Sequence, residues 1–587
     1  MAVENLITEH IDIWTSAIKT KSTSGRGGSN KLELYGIKKL RELILDLAVR
    51  GKLIPQVPSD KPAKCIITKA SAMKEELTQQ KKIRKQKPLP LIREDEAPFK
   101  RPTNWLFCRM GDLGLVASSS RVQKKDWTDS GIPFYRAREI VQLSKTGSVD
   151  NELFISESLF ETLSENSIGP EAGDIMLTGV GTIGVPYVVR PNDRFYYKDA
   201  SVLIFKNLGG IISEYLALFM CSPLWKRDIH KESMGTTVHT LTIARAAHTV
   251  IPVPPIAEQH RIVAKVDELM ALCDQLEQQT EASIEAHQVL VTTLLDTLTN
   301  SADADELMQN WARISEHFDT LFTTEESIDQ LKQTILQLAV MGKLVPQYSN
   351  DKVQTTDLDP VVKKHRKLLS LATNTGKIDL TSFESISKKV SFPDNWAVRP
   401  LAEVVLAVVD CPHSTPKWTD SGEICVRTTQ MAPFKLDLSS SRYVSSDTYI
   451  KRVERLEPTE DDVLYSREGG ILGIACRVPS GTKLCLGQRM IVIRPSTFIT
   501  SKFLELVLNS PLINEIARYN TTGGAAPRVN VAVIKGYPIP LPALDEQNRI
   551  IDKAEELTEI CNRLKVRLKE SHTIQQDLTN AMAEQAV

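Results

Sequence analysis

Hydrophobic positions along the chain recur with two different periods, and each period predicts a different kind of element. Ile37, Leu40, Ile44 and Leu47 follow steps of three and four, which is the spacing of the apolar face of a helix. The Arg50–Lys52 turn then supplies a glycine between two cations, which is typical of a helix carboxyl end. The pattern therefore predicts an amphipathic helix that ends near residue 50.

The pattern changes to short apolar runs between about residues 97 and 255. The runs Asp174–Leu177, Pro186–Val189 and Ser201–Phe205 are bounded by Gly, Pro, Asn and Asp and are typical of strands. A helical pattern begins inside the same region at Tyr215. We therefore predict a mixed α+β globular domain over residues 97–255.

A long helix is predicted to follow, from Glu258 to about residue 298. Its apolar positions alternate steps of four and three, as heptad a and d positions do. These positions are Ile262, Val266, Leu269, Cys273 and Leu276, and their later counterparts are Ile550, Ala554, Leu557, Cys561 and Leu564. The spacing favours a paired-helix seam that also docks other subunits, and the alternative is a helix packed in a core.

Each of these elements occurs twice. Gly36–Lys61 and Ser327–Lys352 are identical at 14 of 26 positions with an offset of 291. Ile251–Leu276 and Ile539–Leu564 are identical at 12 of 26 positions with an offset of 288. Several matches in the same order at a nearly constant offset indicate a tandem, pseudo-two-fold duplication.

The duplication divides the chain into six predicted regions. Residues 1–96 and 301–388 are helical regions with a charged linker, 97–255 and 389–543 are globular domains, and 256–300 and 544–587 are long helices. The predicted fold class is α+β, with two mixed α/β domains joined by long antiparallel paired (coiled-coil) helices.

Composition narrows the class of protein. The chain has 587 residues, 72 Lys and Arg against 73 Asp and Glu, and 42% hydrophobic residues, which excludes wholesale disorder. No apolar run reaches the ~20 residues of a membrane span, and the first residues do not read as a signal peptide. Nine cysteines without a CxxC pair argue against disulfide frameworks and zinc modules, so we expect a cytoplasmic protein without membrane association.

The motifs that could carry catalysis are weak or missing. Gly179–Gly184 matches G-x-G-x-x-G, but a predicted strand follows where a dinucleotide site needs a helix, so a strand-to-strand turn is the better interpretation. The sequence contains no GxxxxGK[ST], no [DNS]-P-P-[YF] and no HExxH. We therefore predict no catalytic residue, no cofactor and no metal ion in this chain.

The globular domains carry candidate DNA contacts in loops that differ between the copies. Cations and aromatic rings can contact phosphates and bases, and arginine can bridge a guanine edge. The candidates are Arg121, Lys124, Lys125, Trp127, Thr237 and His239 in the first domain, and His413, Lys417, Trp418, Arg467 and Arg528 in the second. Neutral drift of surface loops is the alternative explanation for their divergence.

Three duplicated segments resemble one known family. Ile251–Ile262 and Ile539–Ile550 resemble its P-L-P-P-L-x-E-Q-x-R-I junction, and Gly173–Thr178 resembles its G-D-I-L-x-S strand. Ala48–Gln56 and Ala339–Gln347 resemble the segment that precedes each of its recognition domains. The family is that of the specificity (HsdS) subunits of type I restriction-modification enzymes, and the length and N-terminal region resemble most its EcoAI/EcoEI-like (type IB) branch.

The resemblance implies a function for each region. The two globular domains would be target-recognition domains, each of which reads one half of an asymmetric bipartite site in double-stranded DNA. The helices would set the spacing and dock two methyltransferase (HsdM) subunits, and two restriction/translocase (HsdR) subunits would complete the enzyme. S-adenosylmethionine, ATP and Mg²⁺ would be bound by those partners, so this chain would be non-catalytic.

Two other functions remain open from the residues. An assembly scaffold whose globular domains bind protein would show no DNA sequence preference. A stand-alone enzyme with an unrecognised site would not be encoded beside methyltransferase and helicase-nuclease genes.

Overall fold

The structure is a computed structural model that describes residues 9–16, 18–21, 31–83, 85–166, 169–231, 240–348, 351, 358–368, 377–522 and 527–587. The chain divides into two compact units, Met1–Ala282 with Ser571–Val587, and Ser283–Glu570. Each unit therefore contains one globular domain, the first part of one long helix and the last part of the other.

The first unit combines helices with three small sheets. Its helices are Ile11–Ser16, Tyr35–Val49, Lys64–Gln79, Met110–Leu113, Ala137–Thr146, Glu157–Asn166, Ser213–Cys221, Pro223–His230 and Ile243–His248, followed by the long helix Ile256–Thr299. One antiparallel sheet has the strand order Leu115–Ser118, Val202–Lys206, Ile175–Thr178, Pro186–Val188. A second has the order Tyr196–Tyr197, Ile132–Tyr135, Phe154–Ile155, Trp127–Thr128, and Leu106–Arg109 pairs with Val250–Val253. A two-stranded ribbon, Lys19–Lys21 with Lys31–Glu33, precedes the domain.

The second unit repeats this arrangement. Its helices are Ala304–Ser315, Phe318–Leu321, Glu325–Val340, Leu358–Leu368, Thr381–Lys389, Leu401–Val404, Ser446–Val453, Ser501–Asn509, Pro511–Tyr519 and Val531–Lys535, followed by the long helix Leu544–Ala586. One sheet has the order Val405–Asp410, Met490–Pro495, Val463–Ser466, Ala475–Arg477, and another has Trp418–Thr419, Arg442–Val444, Glu423–Val426, Leu484–Leu486. Ala397–Pro400 pairs with Pro538–Leu541, and Met431–Ala432 pairs with Lys435–Leu436. The predicted α+β tandem fold is confirmed.

The two helices Tyr35–Val49 and Glu325–Val340, here called the anchor helices, end in the same way for a physical reason. Gly51 and Gly342 follow them with φ of +69° and +71°, a backbone region that favours glycine. A Cβ on Gly51 would lie 2.9 Å from Cγ of Pro102 and 3.0 Å from Cζ2 of Trp105. The glycine therefore lets the proline and tryptophan of each globular domain pack directly on the end of its anchor helix.

The ten residues predicted for the helix seam are all buried. In the first unit, Ile262, Val266, Leu269, Cys273 and Leu276 share a core with the first anchor helix and with Met582 and Ala583 of the second long helix. In the second unit, Ile550, Ala554, Leu557, Cys561 and Leu564 share a core with the second anchor helix and with Val291, Leu295 and Leu298 of the first long helix. Each seam set thus packs inside this chain, and this burial leaves those side chains no free surface for another subunit.

Ion pairs at the edges of these cores join each anchor helix to a long helix. Arg41 of the first anchor helix contacts Asp274 at 2.5 Å, and Lys565 contacts Asp329 of the second anchor helix at 2.8 Å. None of the helices in the described ranges has the length and hydropathy needed to cross a membrane.

Candidate nucleic-acid interface

A buried network joins each globular domain to the start of its long helix. In the second unit, the Trp396 indole N–H donates to Oε1 of Glu546 at 2.9 Å, and the Thr500 amide donates to Oε1 of Gln547 at 2.9 Å. Arg549, on the same helix, is paired with Asp351. The Glu-Gln-x-Arg segment is therefore a structural clamp that orients the domain.

The first unit has the same clamp. The Ile212 amide donates to Oε1 of Gln259 at 2.8 Å, and Arg261 contacts Asp60 at 2.5 Å. Glu258 is buried beside Trp105, and burial raises the pKa of its carboxyl group. Burial also raises the pKa of Glu546. These carboxyl groups are held within the fold and face packed side chains, so they are not placed to act on a substrate.

Four loops meet at one end of the first globular domain, and we call them loop cluster 1: residues 118–126, 178–184, 198–201 and 240. The Gly179 amide donates to the Ser201 carbonyl at 2.8 Å, and the Ala200 amide donates to Oγ of Ser118 at 3.1 Å. Val180 forms an antiparallel bridge with Thr240. Backbone contacts and the Ser118 hydroxyl group therefore hold these loops together.

The second globular domain has an equivalent loop cluster 2: residues 410–417, 466–473, 487–489 and 527–528. The Arg467 amide donates to the Arg489 carbonyl at 3.0 Å, and the Gly469 amide donates to the Pro527 carbonyl at 2.9 Å. The Gln488 side chain donates to the His413 carbonyl. The two clusters thus share a backbone framework and differ in side chains.

The glycine-rich segment of loop cluster 1 is a turn between antiparallel strands. The Gly184 amide donates to the Thr178 carbonyl at 2.7 Å, and the strand Pro186–Val188 follows. In the other copy, the Gly473 amide donates to the Ser466 carbonyl at 2.9 Å. Since no helix follows the turn, its amides are not arranged to bind a pyrophosphate.

Loop cluster 1 exposes three of the predicted contacts in the first domain. Arg121, Lys124 and Lys125 are exposed, and none forms an ion pair within the described ranges. Trp127 is half-buried, and its ring centroid lies 6.2 Å from that of Phe134. The indole ring therefore packs mainly against its own domain and supports the loop. The predicted contacts Thr237 and His239 lie outside the described residues.

Loop cluster 2 brings together His413, Lys417 and Arg528, which are all exposed. The His413 ring lies 3.4 Å from Asp410, and the backbone of Arg528 pairs with Thr522 and Glu468. Trp418, just beyond this cluster, is half-buried, and the guanidinium group of Arg442 lies 5.4 Å from its ring centroid. The exposed side chains are placed to contact a ligand, whereas Trp418 mainly packs against its own domain.

The structure places Arg467, one of the predicted DNA contacts, inside loop cluster 2 and not on its exposed surface. Its side chain is only 8% exposed, and it donates two hydrogen bonds to Asp410, at 3.0 and 2.9 Å. A guanidinium group whose Nε and Nη2 atoms both donate to one carboxylate has little freedom to reach a base. Arg467 therefore fixes the loops of cluster 2 from inside.

Sequence reasoning missed Arg452, which holds the loop that carries His413. Its buried guanidinium group donates to the carbonyls of Leu486 at 2.6 Å, Ser414 at 3.2 Å and Pro412 at 3.1 Å, and also to that of Gly487. These acceptors lie more than 30 residues away in sequence, so no local pattern could reveal them. Arg489 was also missed, and it is an exposed cation of the same cluster.

No group of His, Cys, Asp and Glu in the described ranges is arranged to hold a metal ion. Burial raises the pKa of Cys273 and of Cys561 to about 11, so these thiols stay protonated at neutral pH. What the domains offer to a ligand is exposed cations on two hydrogen-bonded loop clusters.

The fold and its two loop clusters define a class of protein with two loop-bearing globular domains on a helical framework, and the comparisons with known proteins agree. Residues 102–286 and 393–571 match the Type I restriction modification DNA specificity domain. The chain is 34% identical to the Type I restriction enzyme EcoEI specificity subunit of Escherichia coli over 617 residues, covering 100% of both chains. It is also 34% identical to the EcoAI specificity subunit of Escherichia coli over 616 residues, again covering 100% of both.

A solved structure, that of the HsdS subunit from Thermoanaerobacter tengcongensis, aligns with 84% of this chain and 98% of its own, at 17% identity and a TM-score of 0.39. The two matched specificity domains and the 34% identity over the full length of both Escherichia coli subunits show that the chain belongs to the family of type I restriction-modification specificity subunits, in its EcoAI/EcoEI-like branch. It is not an enzyme by itself.

Proposed function

We propose that each globular domain is a target-recognition domain that reads one half of an asymmetric bipartite DNA site with its loop cluster. The observation that carries this proposal is a shared backbone framework with different exposed side chains. Arg121, Lys124 and Lys125 in one cluster correspond in place to His413 and Lys417 in the other. Since base edges differ in the hydrogen bonds that they offer, different side chains on one framework would select different sequences.

The long helices would set the distance between the half-sites. The first contains 44 residues, which corresponds to about 66 Å at 1.5 Å per residue. Half-sites one DNA turn apart are separated by roughly 34–36 Å. A helix of this length is therefore sufficient to span such a spacing.

The same helices would dock two methyltransferase subunits through side chains that the cores leave exposed. Leu290 is 48% exposed on the first long helix, and Leu578, which is its counterpart at an offset of 288, is 44% exposed on the second. One turn earlier, Ala286 and Ile574 are also exposed at matched positions. Matched apolar stripes support two equivalent docking sites, as the duplication requires.

The cofactor-binding parts of the enzyme would belong to the partner subunits. The complex would act in the cytoplasm. The methyltransferase subunits would bind S-adenosylmethionine, and two restriction/translocase subunits would use ATP and Mg²⁺. The net charge of −1 implies modest attraction of this chain alone for phosphates, so the partners would supply much of the salt-dependent affinity.

Methylation-sensitive long-read sequencing of the host genome tests the proposal. We expect a bipartite motif with adenine methylation on both strands that disappears when the gene is deleted. Exchange of residues 389–543 for the corresponding domain of a relative with another specificity should change only one half of the motif. Unchanged methylation after deletion of an expressed gene would contradict the proposal.

Mobility-shift assays of the complex with methyltransferase subunits separate a DNA reader from a protein scaffold. A reader should prefer duplexes that contain the motif over duplexes with one half-site scrambled. Equal binding to both duplexes would favour the scaffold.

A further inference from the structure

A cleft of about 930 Å³ in the first globular domain lies outside the loops considered so far. It is formed by the helices Pro223–His230 and Ile243–His248 and by the segment from Pro90 to Pro98. Its charged lining consists of Arg50, Arg93, Arg109, Arg227, Lys231 and Arg245 against Asp95, Glu96 and Asp228. Six cations against three carboxylates give the lining a formal charge of +3 before His248 is counted, in a chain whose net charge is −1. Arg50 is also paired at 3.0 Å with Asp46, which is not part of the lining, so the uncompensated charge is about +2.

Part of this charge is used within the fold, and part faces outward. Arg109 is paired with Glu96 at 3.0 Å, and Arg93 with Asp95 at 3.0 Å. Arg227, by contrast, is exposed and has no ion pair within the described ranges. Lys231 approaches Asp228 at 3.3 Å with 72% of its side chain exposed, so that pair leaves its ammonium group accessible to a ligand.

The cleft and loop cluster 1 contain residues that are adjacent in sequence. Thr242 lines the cleft, and Thr240, two residues before it, bridges to Val180 of the cluster. The Leu241 amide also donates to the Gly179 carbonyl at 2.8 Å. A polyanion lying along loop cluster 1 would therefore reach the cationic cleft.

The second globular domain lacks this charge although it has the same helices. Ser222 and Ser510 cap matched helices that both begin with Pro-Leu, which sets the correspondence at an offset of 288. The positions that match Arg227, Lys231, Arg245 and His248 hold Glu515, Tyr519, Val533 and Gly536. The cationic face is thus a property of the first domain and not of the shared framework.

We infer that this cleft binds backbone phosphates of the DNA beside the half-site read by the first domain. The inference rests on the proposed function and adds an asymmetry to it: the first domain contributes salt-dependent, sequence-independent affinity that the second does not. Each neutralised phosphate releases condensed counterions, which changes the slope of log affinity against log salt by about 0.9. Cations near a groove that lack base-edge geometry affect affinity without changing the motif.

The test uses the full chain assembled with its methyltransferase subunits and a duplex that contains the methylated motif. Arg227→Gln and Lys231→Gln together remove the two exposed cations that the Pro223–His230 helix and its end contribute to the cleft. We expect the salt slope of DNA binding to become shallower by about two and the methylated motif to stay the same. A matched control, Lys451→Gln and Arg455→Gln, removes two exposed cations from the second domain.

The outcomes separate the cleft from the proposed function. A shallower slope for the cleft variant alone supports the inference. An unchanged slope with an unchanged motif overturns the cleft and leaves the DNA-reading function intact, and an equal effect of the control variant also overturns it, because net charge would then be the cause. If even the unaltered complex shows no motif preference, it is the proposed function that fails, and the inference fails with it.

Discussion

Arg467 and Asp410 form a buried ion pair beneath loop cluster 2, and loss of the arginine should destabilise the second globular domain. Their side chains are 8% and 15% exposed, and two hydrogen bonds of 3.0 and 2.9 Å join them. Removal of one partner from such a pair leaves an uncompensated buried charge, which typically costs about 3–5 kcal/mol. For Arg467→Ala we therefore expect a loss of that size.

The size of this effect can be measured by urea denaturation followed by tryptophan fluorescence. With a slope of about 2 kcal/mol per molar urea, the expected loss lowers the unfolding midpoint by about 1.5–2.5 M. The double variant Arg467→Met with Asp410→Leu removes both charges and should recover much of the loss. Recovery distinguishes a structural ion pair from simple truncation of a large side chain.

The same variants also decide whether Arg467 contacts DNA. If the arginine only supports the loops, a complex that contains the double variant should retain the motif preference of the unaltered complex. A single variant Arg467→Ala that keeps the unfolding midpoint of the unaltered protein and loses base preference would refute the structural role.

Four further predictions follow from individual contacts. Leu290→Asp with Leu578→Asp should abolish assembly with methyltransferase subunits in size-exclusion chromatography while circular dichroism stays unchanged, because both side chains are about half exposed. Burial raises the pKa of Glu546, so its native carboxyl binds a proton more tightly than in the unfolded chain, and stability falls as pH rises through the raised pKa. Glu546→Gln should therefore gain stability relative to the unaltered protein as pH rises through the raised pKa, as measured by denaturation at each pH. Gly184→Ala should lower stability by about 1–3 kcal/mol in thermal unfolding, since φ is +73° and the new Cβ would lie 2.5 Å from a neighbouring side chain. Arg452→Met should cost about 2–4 kcal/mol and weaken recognition of one half-site, because four carbonyl contacts are lost.

Each of these predictions has a result that would contradict it. Intact assembly of the doubly charged leucine variant would place the docking surface elsewhere. A stability difference for Glu546→Gln that declines as pH rises would reverse the assigned sign, and a thermal midpoint unchanged by Gly184→Ala would show that the turn accommodates a side chain. Retention of both half-sites by Arg452→Met would remove this residue from the recognition apparatus.

Much of the architecture could be predicted from local and periodic patterns. The heptad spacing predicted a long helix from Glu258 to about 298, and the structure has it from Ile256 to Thr299. The short apolar runs around Asp174–Leu177 and Ser201–Phe205 are strands of one antiparallel sheet. These predictions succeeded because helix and strand periods are properties of adjacent residues.

The site was less predictable because it depends on contacts distant in sequence. Arg467 looked like a loop cation, and only the folded chain shows Asp410 beside it, 57 residues earlier. The acceptors of Arg452 are likewise remote, at Pro412 and Leu486. A charged side chain has the same sequence signature whether it faces solvent or a buried carboxylate.

The sequence by itself determined that this protein is one unit used twice, that its family is that of type I specificity subunits, and that its exposed loops diverge between the copies. Those properties follow from repeated motifs and from the periodic spacing of apolar residues. Only the tertiary structure decided that the seam leucines are buried in the cores of this chain, that Arg467 is a support, and that the cations of the first domain line a cleft. The physical reason is that exposure and charge pairing are set by packing between elements far apart in sequence, and the same side chain reads bases, holds a loop or binds phosphate according to its neighbours.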